Sequence, residues 1–413
     1  MNPYGKRREA VLRQMEAESL LILYSGEGVP ASMDETFPFE ANHHFFYLTG
    51  LRRENMALVL SRSTDKPRTV LFIEEPVPDM ERWTGRRVTL SEAKEISGIE
   101  DVRYIDSLEA YIGRCAARET VGSAYFDCYR NAMPDADSYN MAKAKAFAAA
   151  YPAIRLRNAH AMLAAMRMVK DETEIAAMKK AIALTDQGLR RVLSRLEPGQ
   201  MEYQAQADFE YAIRMGGAED TAFATIAGSG LNGCMLHYGT NHCRMEAGSL
   251  LLMDLGAKAD GYCADITRTY PVSGTYSERQ RQIYNIVLAA NRAVAEVAKP
   301  GMTLGELNEV CKGVLAKGMM ELGKIEKPEE IGRYYMHGVS HHLGIDTHDA
   351  AVDGAKLAPG MVITDEPGLY IDEEAIGIRI EDDLLITEEG CVVLSEAIPR
   401  KAEEIEALME RDG

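Results

Sequence analysis

Asp254 interrupts a run of apolar residues that has the length of a buried strand. The run, SLLLMDL, extends from Ser249 to Leu255. Because side chains alternate along a strand, Leu250, Leu252 and Asp254 share one face, so the aspartate points where the leucines point. A buried carboxylate without a partner is very costly, and a cation is the usual remedy. A fold of this chain must therefore provide Asp254 with either solvent or a positive charge.

A second aspartate follows across a short turn. The turn is Gly256 to Gly261, and the strand candidate after it carries Asp265. A hairpin would place the carboxylates of Asp254 and Asp265 side by side. On its own, Asp254 is more typical of a solvated residue at a strand end than of a ligand. Residues further along the chain decide between the two interpretations.

Four of the nine histidines lie within twelve residues: His337, His341, His342 and His348. No glutamate follows the first of them as it does in the His-Glu-x-x-His zinc helix, so that class of metalloprotease is not supported. A single histidine in such a segment also fits a satisfied core or surface residue, which is the role we assign to His342. The cluster as a whole indicates metal or acid–base chemistry.

Two glutamates lie in apolar strand settings, Glu366 in MVITDEPG and Glu381 in GIRIEDD. Alternation places Arg379 and Glu381 on one face. Each glutamate alone is more typical of a solvated or ion-paired edge residue. Together with the two aspartates and a histidine, they form a carboxylate-rich set with one imidazole. That set suits hard divalent ions, Mn²⁺ first and Co²⁺, Fe²⁺ or Zn²⁺ as alternatives, more than a thiolate site would.

Composition excludes several classes of protein. A length of 413 residues with 46% hydrophobic residues predicts a globular chain of two or more domains. The 46 Lys and Arg against 64 Asp and Glu give a net charge of −18, which disfavours nucleic acid and membrane surfaces as partners. Seven scattered cysteines without a Cys-x-x-Cys pair are typical of reduced thiols. With no signal-peptide pattern and no apolar run of about 20 residues, we expect a soluble cytoplasmic enzyme.

The first half of the chain has the pattern of a mixed α/β domain that ends near Asn158. Strand candidates lie at 19–24, 45–47, 57–60, 69–73, 102–105 and 121–126, and helical stretches at 6–18, 91–97, 107–118 and 138–150.

The second half predicts two related helical segments. A long helical pattern over 159–196 is closed by Pro198-Gly199, and a comparable helix over 277–298 is followed by Pro300-Gly301. This echo indicates two helical halves of one domain. Strand candidates follow at 249–255, 262–270, 361–364 and 377–386, and a peripheral helix is expected within 399–413.

The order of these residues resembles the aminopeptidase P and prolidase family of proline-specific dinuclear metallopeptidases. The shared order is Asp, a second Asp eleven residues later, His in His-Gly-x-x-His-x-x-Gly, Glu in Glu-Pro-Gly and Glu in Arg-Ile-Glu-Asp. The segment FFYLTG, from Phe45 to Gly50, is similar to a signature of the family's creatinase-like first domain. The resemblance covers nearly the whole chain and implies an α/β and α+β fold in two domains. These are a creatinase-like mixed α/β N-terminal domain at 1–158, a linker and helix start at 159–176, and a pita-bread metallopeptidase domain at 177–413.

The resemblance also implies a site that holds two divalent metal ions. Asp254 would hold one ion, Asp265 and Glu381 would bridge both, and His341 with Glu366 would complete the other coordination sphere. Glu366 would also be the general base that returns its proton to the leaving proline nitrogen. Histidines in the outer sphere would bind substrate and stabilise the oxyanion, and two further residues would support the water network by hydrogen bonds. The former are His237, His337 and His348, and the latter are Tyr370 and Arg379. At Asn42-His43-His44 the chain departs from relatives, which often have an acid before the aromatic run.

The implied activity is that of an Xaa-Pro aminopeptidase, which releases an N-terminal residue that precedes proline. Alternatives are a prolidase that cleaves Xaa-Pro dipeptides, a catalytically inactive pita-bread binding protein and a non-peptidase hydrolase. Prolidases commonly supply a carboxylate-binding arginine between the two metal-binding glutamates. Here that segment contains only Arg379, although Arg333 could serve. Methionine aminopeptidases typically lack the first domain, and creatinases lack the metal ligands.

The resemblance further implies a homo-oligomer, a dimer or a tetramer. Trp83, the only tryptophan, lies in ERWTGRR, which is similar to a segment that relatives place at the substrate entrance. We expect it to help close an active site of its own or a neighbouring subunit. The alternative is a tryptophan packed within its own domain.

Overall fold

A computed structural model of the chain describes residues 2–62, 66–118 and 120–410. These residues form two compact units, of which the first extends to Met166 and the second begins at Arg167. Among the described residues, no helix combines the length and the apolar character needed to cross a membrane.

A mixed six-stranded sheet forms the centre of the first unit. Its strands are β1 (Ser19–Tyr24), β2 (Ala57–Ser61), β3 (Arg68–Ile73), β4 (Val102–Tyr104), β5 (Ser123–Phe126) and β6 (Arg155–Asn158). Their order is β4-β3-β2-β1-β5-β6, with β1 antiparallel to β2 and parallel to β5. The helices of this unit are α1 (Pro3–Gln14), α2 (His43–Thr49), α3 (Pro78–Thr84), α4 (Leu90–Ser97), α5 (Leu108–Arg118) and α6 (Tyr139–Ala150). β1 is buried from Ser19 to Leu23, as expected of a central strand with both faces covered.

The strand predicted at 45–47 is wrong, because these aromatic residues belong to α2. The side chain of Asn42 caps the helix by accepting a hydrogen bond from the backbone N–H of Phe45, and Gly50 ends it with a φ of +74°. All residues from His44 to Thr49 are buried, so the segment shows no periodicity that could separate helix from strand.

The long helical pattern over 159–196, predicted as a linker followed by the first helix of the second domain, comprises two helices, α7 (His160–Met168) and α8 (Glu172–Arg195). Asp171 caps α8 by accepting hydrogen bonds from the backbone of Thr173 and Glu174, and Glu174 accepts one from the backbone of Asp171. This reciprocal capping box starts a new helix at the position of the charge-rich segment.

The four longest helices among the described residues of the second unit form two pairs. They are α8 with α9 (Glu202–Met215), and α10 (Glu278–Val297) with α11 (Leu304–Glu321). The turn within each pair contains a Pro-Gly step whose glycine, Gly199 or Gly301, has a φ of +91°. The echo between the two halves is therefore a repeated helix–turn–helix unit.

The strands of the second unit pair antiparallel in four small sheets among the described residues. The predicted strand at 262–270 is interrupted at Asp265, and that at 377–386 is interrupted at Glu381, so both acids lie where one strand ends and the next begins. The strands are β7 (Asp220–Thr221), β8 (Ile226–Ser229), β9 (Leu250–Leu255), β10 (Ala257–Ala259), β11 (Tyr262–Cys263), β12 (Ile266–Pro271), β13 (Val362–Asp365), β14 (Gly368–Ile371), β15 (Ile376–Arg379), β16 (Asp382–Ile386) and β17 (Cys391–Val393).

The C-terminal tail forms α12 (Ala402–Met409), which is less peripheral than predicted. Ala402, Ile405 and Met409 are buried and belong to the core of the second unit. Residues 411–413 of the predicted tail helix lie outside the described residues.

Candidate metal centre

A cavity of about 660 Å³ in the second unit collects nearly all of the side chains predicted for the site. Tyr370 lies behind the lining and contacts it by hydrogen bonds, whereas His342 is buried and is not among the described residues that line the cavity. The predicted residues in the lining are Asp254, Asp265, His341, Glu366, Glu381, His237, His337, His348 and Arg379.

Ligand atoms of Asp265, His341 and Glu381 lie within 4.8 Å of one another. Nε2 of His341 is 3.4 Å from Oδ2 of Asp265 and 3.5 Å from Oε1 of Glu366. Nδ1 of His341 lies 3.1 Å from the carbonyl oxygen of His342, which assigns the proton to Nδ1 and the lone pair to Nε2. Burial lowers the pKa of His341 to about 4, so the ring is neutral and able to bind a cation at neutral pH.

Asp254 comes from β9, opposite Thr267 on β12. Its Oδ2 accepts a hydrogen bond of 2.6 Å from Nη2 of Arg379, but its buried Oδ1 has no hydrogen-bond partner among the described residues. Gly256, two residues later, allows the close approach of the chain before β12, since a Cβ there would lie 1.8 Å from the carbonyl oxygen of Ala264. The Oδ1 atom of Asp254, which lacks a hydrogen-bond partner among the described residues, thus lies at the cavity, where a bound cation would satisfy it.

The electrostatics of the cavity also fit divalent cations. Burial raises the pKa values of Asp265 and Glu381 well above their ordinary values, and the neighbouring carboxylates raise them further. Burial likewise raises the pKa of Glu366 to about 7. Arg379 is the only Lys or Arg side chain among the described residues that line the cavity. Four acids facing one arginine leave an excess of negative charge that two divalent ions would offset, and carboxylates with one imidazole suit hard divalent ions.

Two threonines that the sequence analysis missed orient the acids. Oγ1 of Thr267 donates to Oε2 of Glu381 over 2.6 Å and accepts from Nε of Arg379 over 3.0 Å. Oγ1 of Thr364 donates to Oε1 of Glu366 and accepts from the backbone N–H of His341. Thr267 follows Asp265 by two residues and Thr364 precedes Glu366 by two, so the period-two pattern was the signal that could have identified them.

A hydrogen-bond chain connects Arg379 to His337 through Tyr370. Nη1 of Arg379 donates to the Tyr370 hydroxyl over 3.0 Å, and this hydroxyl lies 2.8 Å from Nε2 of His337. Nδ1 of His337 is 2.7 Å from the carbonyl oxygen of Gly338, so Nδ1 donates and Nε2 accepts from Tyr370. Burial lowers the pKa of His337 to about 4, which keeps the ring neutral in this arrangement.

The two remaining histidines reach the cavity from separate loops. The ring of His348 lies 4.2 Å from the ring of His341, measured between centroids. His237 lies in the loop between β8 and β9, which a buried carboxylate, Glu202, holds in place. Glu202 accepts hydrogen bonds from the backbone N–H groups of Ser229 and Cys243 and from the side chains of Ser229, Asn232 and Tyr238. The sequence carried no local signal for Glu202, because its partners lie 27 to 41 residues away.

One wall of the cavity is apolar. Phe223, Ile226 and Leu236 line it on the side of β8 and the following loop. An apolar wall beside a polar, charged floor suits a substrate that has a hydrophobic ring next to a peptide bond. No spacing in the sequence indicated these residues.

Both parts of the chain are similar to known protein families. The family description "Metallopeptidase family M24" matches residues 176–388, and "Aminopeptidase P, N-terminal domain" matches residues 4–123. Among curated proteins, the Xaa-Pro aminopeptidase of Escherichia coli K12 is 34% identical over 98% of this chain and 97% of its own length. The Xaa-Pro aminopeptidase of Haemophilus influenzae is 31% identical over 98% of this chain and 96% of its own length.

Solved structures show the same two-domain fold. A structure from Bacillus anthracis, assigned to aminopeptidase P, is 41% identical with a TM-score of 0.97 and covers 99% of this chain and 98% of its own. Escherichia coli aminopeptidase P with the inhibitor Pro-Leu is 31% identical with a TM-score of 0.89, over 98% of this chain and 97% of its own. The chain belongs to metallopeptidase family M24. The resemblance and the two-domain fold class predicted from the sequence are thereby confirmed.

Proposed function

We propose that the chain is an Xaa-Pro aminopeptidase, which releases the N-terminal residue of peptides that have proline in second position. The observation that carries this proposal is the convergence of four carboxylates and His341 on one cavity. Curated relatives that match nearly the full length carry the name Xaa-Pro aminopeptidase.

The proposed cofactors are two divalent ions, Mn²⁺ first, with Co²⁺, Fe²⁺ or Zn²⁺ as alternatives. In this proposal Asp254 would hold one ion, Asp265 and Glu381 would be shared by both, and His341 with Glu366 would complete the ligands of the other. When bound, such ions activate water as a nucleophile and polarise the scissile carbonyl. Two observations support this assignment: the buried Oδ1 of Asp254 has no hydrogen-bond partner among the described residues, and Nε2 of His341 carries a lone pair.

Glu366 is the proposed general base and then the general acid. Its carboxylate takes the proton that the attacking water loses and returns it to the proline nitrogen as the C–N bond breaks. A pKa raised to about 7 by burial suits both transfers near neutral pH. Thr364 holds Oε1 of Glu366 at 3.3 Å, and Nδ1 of His337 lies 3.7 Å from Oε2.

The three outer histidines are proposed to bind the substrate. His237 and His348 line the cavity as hydrogen-bonding groups for the substrate carbonyl, where negative charge develops in the transition state. His337 is oriented by Tyr370, which Arg379 in turn holds. Tyr370 and Arg379 therefore act by positioning other groups.

The cavity favours longer peptides over the Xaa-Pro dipeptides of a prolidase. A dipeptide places a carboxylate next to the scissile bond, and a free arginine is the natural partner for it. Arg379, the cavity's arginine, is already engaged by Asp254, Tyr370 and Thr267. The side chain of Arg333 is 69% exposed and lies 3.8 Å from Glu373.

The test is a comparison of kcat/KM for an Xaa-Pro dipeptide and an Xaa-Pro-Xaa tripeptide with the same first residue, with and without Mn²⁺. We expect Mn²⁺-dependent release of the first amino acid, a preference for the tripeptide, and no release from a matched peptide with alanine in place of proline. Glu366→Gln serves as the inactive control. A clear preference for the dipeptide would assign the chain to the prolidases, and absence of hydrolysis by a metal-loaded protein would refute the proposal.

We further propose a cytoplasmic homo-oligomer, a dimer or a tetramer, that acts on peptides and not on nucleic acid or membranes. The net charge of −18 supports the exclusion of nucleic acid. For the domain limits we propose 1–158, 159–176 and 177–413, and the division of the structure at residue 166 falls within the proposed linker.

A further inference from the structure

The first unit contains a second cluster of metal-ligand side chains, His44, Asp127 and His160. One ligand atom from each lies within 4.8 Å of the other two. Nε2 of His44 is 3.1 Å from Nδ1 of His160, and this nitrogen is 3.4 Å from Oδ1 of Asp127. None of the three belongs to the residues that line the cavity of the second unit.

These separations match those between ligands of one tetrahedral metal ion. Two ligand atoms about 2.0–2.1 Å from a tetrahedral Zn²⁺ are about 3.3 Å apart. The separations of Nδ1 of His160 from the His44 nitrogen and from the Asp127 oxygen are therefore close to the spacing that a bound ion requires, and the third pair lies within 4.8 Å. A hydrogen bond between the imidazoles gives a similar distance, so the separation alone leaves both arrangements open.

The surroundings hold the three groups in a ligand-like orientation. Asn42 donates to Oδ2 of Asp127 over 2.8 Å, which directs Oδ1 toward His160. The ring of Tyr129 stacks on the ring of His160, with centroids 4.2 Å apart and an interplanar angle of 23°. Outer partners of this kind are what fix carboxylate and imidazole ligands in metal sites.

Burial and charge also suit a cation. His44 and Asp127 are buried, with 3% and 7% of their surface exposed, whereas the His160 side chain is 19% exposed and leaves a path from solvent. Asp127 supplies a carboxylate beside the two imidazoles, and its negative charge would offset part of the charge of a bound cation.

We propose that His44, Asp127 and His160 bind one divalent transition-metal ion of the Zn²⁺ type, in addition to the ions of the catalytic cavity. Two imidazoles and one carboxylate are a common set for such ions, with a fourth position open to water. On binding, the proton between the imidazoles moves to the other nitrogen of its ring, so both ligand nitrogens present a lone pair. The ion links the start of α2, the segment after β5 and the start of α7.

The test is the metal content of the metal-stripped full chain after equilibrium dialysis against Zn²⁺. We expect His160→Gln and Asp127→Asn each to contain one equivalent less than the unaltered chain. His242→Gln is the matched control, because His242 is an exposed histidine of the second unit beside Tyr203, and it should keep the full content. Equal metal content in all four proteins would overturn the proposal and leave a hydrogen-bonded Asp–His–His triad.

A measurement on the unaltered chain makes the result independent of how the variants fold. Crystals of the full chain soaked in Zn²⁺ should give an anomalous peak between the His44, Asp127 and His160 side chains at the zinc absorption edge. Peaks at the catalytic cavity without one here would refute the proposal and leave the catalytic assignment intact.

Discussion

Arg379 and Asp254 form an ion pair of 2.6 Å at the wall of the catalytic cavity. The same guanidinium donates from Nη1 to Tyr370 and from Nε to Thr267, whose hydroxyl in turn donates to Glu381. With only 4% of its side chain exposed, Arg379 has all of these contacts away from bulk water. One arginine thus positions two of the proposed metal ligands and the tyrosine that orients His337.

Replacing Arg379 with lysine tests this role. A lysine ammonium keeps the positive charge but cannot reach three acceptors in the fixed geometry of a guanidinium. Loss of a partner that orients metal ligands typically costs 10–100-fold in metal affinity or activity, so we expect a decrease of about that size in kcat or in Mn²⁺ affinity. Steady-state kinetics and calorimetric titration with Mn²⁺ measure the two effects. Arg333→Lys, at an exposed arginine, should be unchanged, and equal values for both variants would contradict the assignment.

Removal of the metal should lower the stability of the folded protein, because the proposed bridging acids, Asp265 and Glu381, would then lose the cations they bind. A ligand that binds only the folded state adds about 2.7 kcal/mol at a concentration 100 times its Kd. We therefore expect Mn²⁺ to raise the melting temperature of the metal-stripped chain, but to have little effect on Asp265→Asn or Glu381→Gln. The same two variants should have no measurable peptidase activity, whereas His342→Ala should retain it. A folded Asp265→Asn protein with unaltered turnover at saturating Mn²⁺ would disprove the dinuclear assignment.

Gly368 leaves room for the Tyr370 hydroxyl. A Cβ at Gly368 would lie 2.5 Å from this oxygen, so Gly368→Ala must displace the hydroxyl that contacts both Arg379 and His337. We expect kcat to fall about 10–100-fold while the protein still folds. Gly313→Ala is the matched control, because a Cβ there meets no atom of the described residues within 4 Å and alanine favours a helix. Kinetics together with melting curves separate the two variants, and an unaffected kcat in Gly368→Ala would argue against a role for the tyrosine.

Local sequence patterns marked Asp254 and Glu381 as acids among apolar residues, which is an unusual environment for a charge. Each acid alone was more typical of a solvated or ion-paired residue, and the candidate ligand set came from their combination with the histidines and from the family resemblance. The helix at Phe45 could not be predicted, because a fully buried aromatic run has no periodicity, and the helix start depends on the cap from Asn42 and its end on Gly50.

Groups that act over long sequence separations escaped prediction. Glu202 holds the His237 loop through partners 27 to 41 residues away. His44 and His160 are 116 residues apart, and only the fold brings them together with Asp127. Single-sequence patterns describe strands and helices, whereas these contacts arise from tertiary packing.

Trp83 is 87% exposed, which rules out the alternative that it packs within its own domain. It lies on α3 with Met80, which is 55% exposed, and Val77, which precedes the helix, is 49% exposed. A large exposed ring of this kind suits a contact with substrate or a second subunit.

We expect Trp83→Ala to keep the melting temperature of the monomer fold and to increase either KM for Xaa-Pro peptides or the dissociation constant of the oligomer. Arg82→Ala, at an exposed neighbour, is the control. If kinetics and analytical ultracentrifugation find no change in Trp83→Ala, the proposed role is wrong.

The buried carboxylate of Asp349 should make stability depend on pH. It accepts a hydrogen bond of 3.1 Å from Lys170 and pairs with Arg167, and all three side chains are at most 3% exposed. Burial by itself would raise the pKa of Asp349, but the positive charges of Lys170 and Arg167 outweigh it and lower the pKa below the ordinary value.

Because the pKa of Asp349 is lower in the folded than in the unfolded state, the ionised group stabilises the fold fully above the unfolded-state pKa of about 3.9. This contribution is lost as the pH falls through the folded-state pKa. Asp349→Asn removes the carboxylate that pairs with the buried Lys170 and that shares Arg167 with Asp346, and it should cost about 3–5 kcal/mol at pH 7. We expect the stability difference between the unaltered chain and Asp349→Asn, measured by urea unfolding of metal-stripped protein, to be constant from pH 7 to 5 and to shrink below about pH 4. A difference that stays constant down to pH 3, or grows on acidification, would show that Asp349 is not held ionised by these two cations.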